Sequence, residues 1–183
     1  AYIVSHADAF SKGMKSAGVL TTAKHFPGLG AVTGNTDISA GVRDSQTNPK
    51  SESVQIFKEL ISSGVPSIMT ATAIYDQIDP ELPGAFSPKM VDGLLRNQLG
   101  FDGLVITDDL SNAVQVQAWS PGQRAVLALA AGNDLVLANE PTQIPEMISE
   151  VLQKAKSDQG FAEKINQASS RVMKVKEQMK LVE

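Results

Sequence analysis

A chain of 183 residues that is 42% hydrophobic and 20% charged, with a formal net charge of -4, has the balance of a folded globular domain. It carries no basic run or array of stacking aromatics for nucleic acid, and no apolar stretch long enough to span a membrane. The absence of cysteine excludes disulfides and thiolate chemistry, and with only two histidines the composition argues against a structural zinc site.

In chain order, Ile3, Val4, Ala7, Phe10 and Met14 share one face of a helix predicted over roughly residues 1–17. The sequence thus opens inside an amphipathic pattern, not on a leader-like segment. Gly18 to Ala23 reads as a short buried strand that stops at Lys24 and His25. Pro27 cannot continue a central strand and Gly28 admits backbone angles closed to other residues, so the chain turns just after this polar pair. A polar loop follows from about 28 to 48. Asn48-Pro49 predicts an N-cap and first helical position, with Val54, Phe57, Leu60 and Ile61 as the apolar face and Gly64 as the stop. Val65 to Thr72 is the second strand, and Tyr75 to Ala85, broken by prolines and a glycine, is a second long loop.

Ser87-Pro88 opens a third helix that carries Leu94, Leu95 and Leu99 and closes at Gly100. Gly103 to Asp109 is the third strand, apolar until its two terminal acids. A fourth helix from Ser111 breaks at Ser120-Pro121-Gly122 and stops at Gly132, and Asp134 to Ala138 is the fourth strand. Two helices finish the chain. The last spaces Phe161, Ile165, Ala168, Val172, Val175, Met179 and Val182 alternately four and three, which suits an outer helix packed on a sheet and, as the alternative, a coiled coil.

Apolar strands alternating with amphipathic helices predict an α/β fold, a parallel sheet covered by helices. Four strands are too few to close an eight-stranded (β/α) barrel, which takes about 250 residues. A small open sheet and half a barrel both fit, and the mid-helix opening favours the half, with residues 1–183 as a single domain. Functional side chains on such sheets gather at strand C-termini. Those places hold Lys24 and His25, Thr70 and Thr72, and Asp108 and Asp109, while the loop from Gly28 adds Asn35, Asp37 and Asp44. Strand alternation sends Asp108 and Asp109 to opposite faces, so one points into a central site and the other caps the helix predicted from Ser111. A strand-end carboxylate with a second carboxyl on a facing loop has the parts for glycoside hydrolysis. The same residues also read as a solvated lysine, a structural histidine and helix-capping acids. No Gly-x-Ser-x-Gly turn, dinucleotide loop or P-loop is present.

Taken in this order, "KHFPGLG", "LPGAFSPKMVDGLLRNQLGFDG", "GFDGLVITDDL" and "AAGNDLVLA" resemble glycoside hydrolase family 3, and more narrowly its single-barrel β-N-acetylglucosaminidase branch. The resemblance covers essentially all 183 residues and implies the C-terminal half of a TIM-like (β/α)8 barrel. It implies a retaining exo-glycosidase that removes terminal β-N-acetylglucosamine, from peptidoglycan-derived saccharides, with no metal or organic cofactor. Lys24 and His25 match the pair that hydrogen-bonds the hydroxyls of the non-reducing sugar, and Asp108 matches the nucleophile, with Asp109 as its structural neighbour. Asp134, at the start of its strand, is read as structural.

Departures from the branch are informative. Many members carry an Asp-x-His dyad on the loop after the Lys-His pair, with His as acid/base, and the matching positions here hold Asn35, Thr36 and Asp37. A carboxyl therefore stands in place of the imidazole. Asp37 can serve as proton donor if burial or the charge of Asp108 raises its pKa, and otherwise forms a turn. Leu29 replaces a frequent His, and Thr72 stands where a second-strand His is often found, making Thr72 a candidate substrate contact. The implied partners are a small carbohydrate and either a companion N-terminal half-barrel fragment or a second copy, with no nucleic acid and no membrane span. The alternatives are a β-glucosidase-like exo-glycosidase and a non-catalytic sugar-binding or assembly half-barrel. Trp119 reads as packing or as a wall of the site, and His6 as structural. Localisation stays open between a bacterial cell envelope and the cytoplasm.

Overall fold

The computed structural model describes residues 2–182. Along the chain run α1 (Tyr2–Ser16), β1 (Thr22–Phe26), β2 (Arg43–Asp44), α2 (Glu52–Ser62), β3 (Ser67–Thr70), β4 (Ile74–Tyr75), β5 (Asp79–Pro83), a π-helix (Lys89–Gln98), β6 (Leu104–Asp109), α3 (Pro121–Ala131), β7 (Leu135–Leu137), α4 (Ile144–Ser157) and α5 (Gln159–Gln178). The expected α/β architecture is present: β1, β3, β6 and β7 form a four-stranded parallel sheet in that order. All four strands therefore end on one edge of the sheet.

Burial explains the order. Phe26, Ile68 and Val105 of the three first strands pack under Val54 and Phe57 of α2 and Met90, Val91, Leu94 and Leu95 of the π-helix. The Phe26 and Phe57 rings meet edge-on, with centroids 5.1 Å apart. A second cluster joins Phe86, Leu110 and Val116 to Ala125 and Ala128 of α3 and Met147 of α4. Trp119 belongs here, edge-on to Phe86 at 5.3 Å, so its role is packing. Each buried large side chain of this kind contributes roughly 1.5–3 kcal/mol.

At the opposite edge, where the strands begin, Asp134 is buried and accepts from Arg96 (2.6 Å), Arg171 (2.9 Å) and the Val105 N–H (2.8 Å). One carboxylate so ties the π-helix and α5 to the lower ends of β6 and β7. Phe161 and Ala168 of α5 are buried, which makes it an outer helix packed on the domain.

Several elements differ from the sequence reading. The first strand runs to Phe26, so Lys24 and His25 lie within it, and a register shift between Ala23 and Phe26 accommodates them. Asn48-Pro49 does not start a helix: Asn48 Oδ1 accepts from the Lys50 N–H (2.9 Å), and this turn delays α2 until Ser51 can serve as N-cap. Tyr75 to Ala85 is not a plain loop, because β4 and β5 join β2 in a small three-stranded sheet. Its two-residue strands leave no periodicity to detect, and Pro80 and Pro83 lie on edge strand β5. Residues 111–119 hold one 3-10 turn (Val114–Val116) in place of a helix, since Asp109 bonds the Ser111 and Asn112 N–H groups into a turn. Finally, α1 buries none of its residues; Ile3 and Phe10 of its apolar face are 59% and 65% exposed.

Candidate active site

The strand C-termini bring together side chains that lie far apart in the chain. β6 alternates in burial, placing Asp109 inside and Asp108 on the half-exposed face. Asp108 faces His25 across the intervening strand, with His25 Nε2 and Asp108 Oδ2 3.5 Å apart. Both side chains are about one-fifth exposed, at 20% and 22%. Asp108 Oδ1 accepts from the Asp109 N–H at 2.9 Å, which fixes the carboxylate's orientation. Lys24, next to His25, is exposed at the same rim.

The turn after β1 is held from below. Phe26 and Pro27 are buried, and the Lys24-His25 and Phe26-Pro27 peptide bonds are cis. Gly28 has φ +134, and a Cβ there would lie 2.7 Å from Ser53 Cβ, so both backbone angle and space demand glycine. Its carbonyl accepts from the Tyr75 hydroxyl at 2.8 Å. Burial, aided by the charge of Asp44, pushes the Tyr75 pKa far up, so the phenol remains a donor at physiological pH.

Residues 33–43 form a compact loop over this rim. Its neck is closed by the Thr33 N–H on the Arg43 carbonyl (2.9 Å) and the Arg43 N–H on Thr33 Oγ1 (3.1 Å). Its tip docks on the turn beyond β6: the Val114 N–H donates to the Asp37 carbonyl and the Gln115 N–H to the Thr36 carbonyl, both at 3.1 Å. Asp37 is exposed, and its own N–H donates to Asn35 Oδ1 at 2.8 Å. Asp44, at the loop's far end, is buried and accepts from the Gln46 and Thr47 N–H groups (both 2.8 Å) and from Thr47 Oγ1 (2.6 Å).

Electrostatics reports the same convergence. Burial is the largest influence on His25 and lowers its pKa; Asp108 opposes, Lys24 adds to the lowering, and Asp37 opposes. The net result is a lowered pKa and a neutral imidazole at neutral pH. The bonds from the Val114 and Gln115 N–H groups, just beyond β6, carry Asp37 to the side of the rim that holds Asp108. Burial raises the Asp109 pKa, but bonds from the Ser111 hydroxyl and the Asn139, Ser111 and Asn112 N–H groups outweigh it and leave it lowered. Asp109 is thus an ionised structural acid that ties the exits of β6 and β7 together. Thr72, two residues past β3, is 1% exposed, and its hydroxyl meets no hydrogen-bond partner among the described residues. His6 is exposed and stacks on Tyr2, remote from the rim in sequence.

Sequence reasoning missed Gln115. It is 5% exposed and bonds both backbone groups of Val42. Its only trace in the sequence is one polar residue inside the apolar run Ala113 to Val116.

A half-buried carboxylate against a neutral imidazole and an ammonium, with a second carboxyl on a loop above, can attack an electrophilic carbon and deliver a proton. A sequence model described as the glycosyl hydrolase family 3 N-terminal domain matches residues 1–175. The chain belongs to glycosyl hydrolase family 3. A β-hexosaminidase of Nitrosomonas eutropha is 36% identical over 146 residues, covering 78% of this chain and 41% of that protein. A crystal structure of a β-N-acetylhexosaminidase from Beutenbergia cavernae superposes with a TM-score of 0.93 at 51% identity, covering 95% of this chain and 52% of the other. A family 3 β-N-acetylglucosaminidase from a Paenibacillus species gives a TM-score of 0.84 at 28% identity, over 92% of this chain and 33% of that one. The chain spans 41% of the Nitrosomonas relative and 52% of the Beutenbergia one, about half their length or less.

Proposed function

We propose that the whole protein is a retaining exo-glycosidase that removes terminal β-N-acetylglucosamine, with peptidoglycan-derived saccharides as its substrates and no cofactor. The observation that carries this reading is the pairing of Asp108 with His25 on the sheet's C-terminal edge, beneath a loop that presents Asp37. Asp108 attacks the anomeric carbon as the aglycone oxygen leaves, and the covalent glycosyl-enzyme is then hydrolysed by water. Asp37, exposed in this half, donates the proton to the leaving oxygen once substrate and the companion half cover it, and afterwards takes one from the attacking water. Lys24 and His25 bind sugar hydroxyls, and Lys24 supplies charge-assisted hydrogen bonds. Thr72, two residues past the neighbouring strand and buried, has a hydroxyl with no partner among the described residues, and it joins the substrate contacts once binding opens a path to it. The names of the similar hexosaminidases favour an N-acetylated sugar over glucose.

The reading includes a companion. Among the described residues β1 pairs only with β3 and β7 only with β6, which leaves two open edges. Beside β7, Ile144, Ile148 and Leu152 are exposed. A companion N-terminal half-barrel, or a second copy, would pair these edges and cover the apolar surface, with residues 1–183 as a single domain that is part of the catalytic barrel.

The test is the intact mass of the protein after incubation with a fluorinated N-acetylglucosaminide that traps glycosyl-enzymes. The expected result is an adduct on the peptide containing Asp108, absent in Asp108→Asn. No adduct with a protein that hydrolyses the unfluorinated sugar would overturn the mechanism. Equal turnover of the glucoside and the N-acetylglucosaminide would overturn the substrate.

A further inference from the structure

We propose that Gln115 is a positioning residue that sets the Asp37 loop against the strand bearing Asp108; this rests on the reading of Asp37 as proton donor. Gln115 Oε1 accepts from the Val42 N–H (2.9 Å), and Nε2 donates to the Val42 carbonyl (3.1 Å). One side-chain amide thereby satisfies both backbone groups of a residue 73 positions away, as a neighbouring β-strand would. The Gln115 N–H and the Val114 N–H hold the carbonyls of Thr36 and Asp37. Two consecutive residues therefore grip the loop at its tip and at its return.

Little else can hold that tip. Asp37 and Ile38 are exposed, Ile38 at 75%, and only Thr36 and Val42 are buried in this stretch. With so little apolar burial, the loop's placement depends on hydrogen bonds. The turn that supplies them begins five residues after Asp109, within a segment pinned by the bonds from Ser111 and Asn112 to the Asp109 carboxylate. The loop's reference point is thus β6 itself, the strand that ends in Asp108 and Asp109. Loss of the Gln115 amide leaves the buried Val42 N–H unpaired, while the Val42 carbonyl keeps its bond from the Ile74 N–H (3.1 Å), and the loop relieves the orphaned donor by moving into water. Asp37 then loses its place while Asp108 keeps its own, so proton delivery fails and nucleophilic attack survives.

This separation can be measured in the intact protein. Gln115→Leu and Gln115→Asn are assayed for kcat/KM on a dinitrophenyl N-acetylglucosaminide, whose leaving group needs no proton, and on an alkyl N-acetylglucosaminide, whose leaving group does. The expected loss is at least about tenfold on the alkyl substrate and within about threefold on the dinitrophenyl one. Activity on the dinitrophenyl substrate doubles as a check of folding; if the leucine variant does not fold, the asparagine variant, one methylene short of Val42, carries the test. Equal losses on both substrates, or no loss on either, overturn the inference. Asp37→Asn is run in parallel: if it shows the selective loss and the Gln115 variants do not, only the positioning role fails. If Asp37→Asn itself shows no selectivity, the proton-donor reading fails and the Gln115 inference with it.

Discussion

His25 Nε2 lies 3.5 Å from Asp108 Oδ2, although their strands β1 and β6 are separated by β3. The contact spans the C-terminal edge of the sheet and closes the rim over a third strand. The neutral imidazole adds no positive charge beside the carboxylate, which suits the role proposed for Asp108. His25→Ala is expected to lower kcat/KM by about ten- to a hundredfold, the value of one or two hydrogen bonds to the sugar. Unchanged kinetics with an intact circular dichroism spectrum would remove His25 from the site.

Acid should weaken the fold in two windows. The His25 pKa is lowered from 6.5, mainly by burial, so the unfolded chain takes up this proton first. Above 6.5 the ring is neutral in both states; stability then falls as the pH drops from 6.5 through the lowered folded value. Asp109, lowered from 3.8, acts with the same sign further down: its contribution is present above 3.8 and is lost as the pH falls through its folded value. Urea midpoints measured against pH should show both declines, and His25→Gln should flatten the upper one alone.

Asp134 holds two guanidinium groups and a backbone N–H with a side chain that has no exposure. Replacing it by alanine strands Arg96, itself only 9% exposed, without its counter-charge. The expected cost is about 3–5 kcal/mol. Asparagine, which can still accept from Val105, should cost less. Denaturant titration of the two variants distinguishes them.

Gly28→Ala meets two obstacles, a φ of +134 and the Ser53 Cβ at 2.7 Å. The backbone angle alone costs about 1–3 kcal/mol. Combining it with Ser53→Gly relieves the contact but not the angle, so the double variant should recover only part of the loss. Full recovery would mean that space, not conformation, demands glycine there.

Three of the parallel strands were legible as the apolar runs Val65 to Thr72, Gly103 to Asp109 and Asp134 to Ala138, whereas the first was expected as a buried run over Gly18 to Ala23 and begins only at Thr22, after an exposed Val19. The gathering of Lys24, His25 and Asp108 followed from the direction of those strands. Three features were not legible, each for a local reason. β2 and β4 have two residues each, too few to show alternation. Residues 111–119 carry helix-forming side chains, but Asp109 competes for the N–H groups that would start the helix. The Gln115 grip on Val42 spans 73 positions, and a polar residue inside the run Ala113 to Val116 does not say which distant backbone it holds.

β6 is fastened at both ends. Below, the Asp134 carboxylate holds the Val105 N–H; above, Asp109 holds Ser111, Asn112 and Asn139. Val105 and Asp108 are three residues apart, about 10 Å along a strand. The strand therefore behaves as a short strut between two clamps, and the height of the Asp108 carboxylate above the rim is set by backbone geometry. Looseness in the surrounding helices, such as the barely covered α1, reaches the carboxylate only after one of the clamps opens.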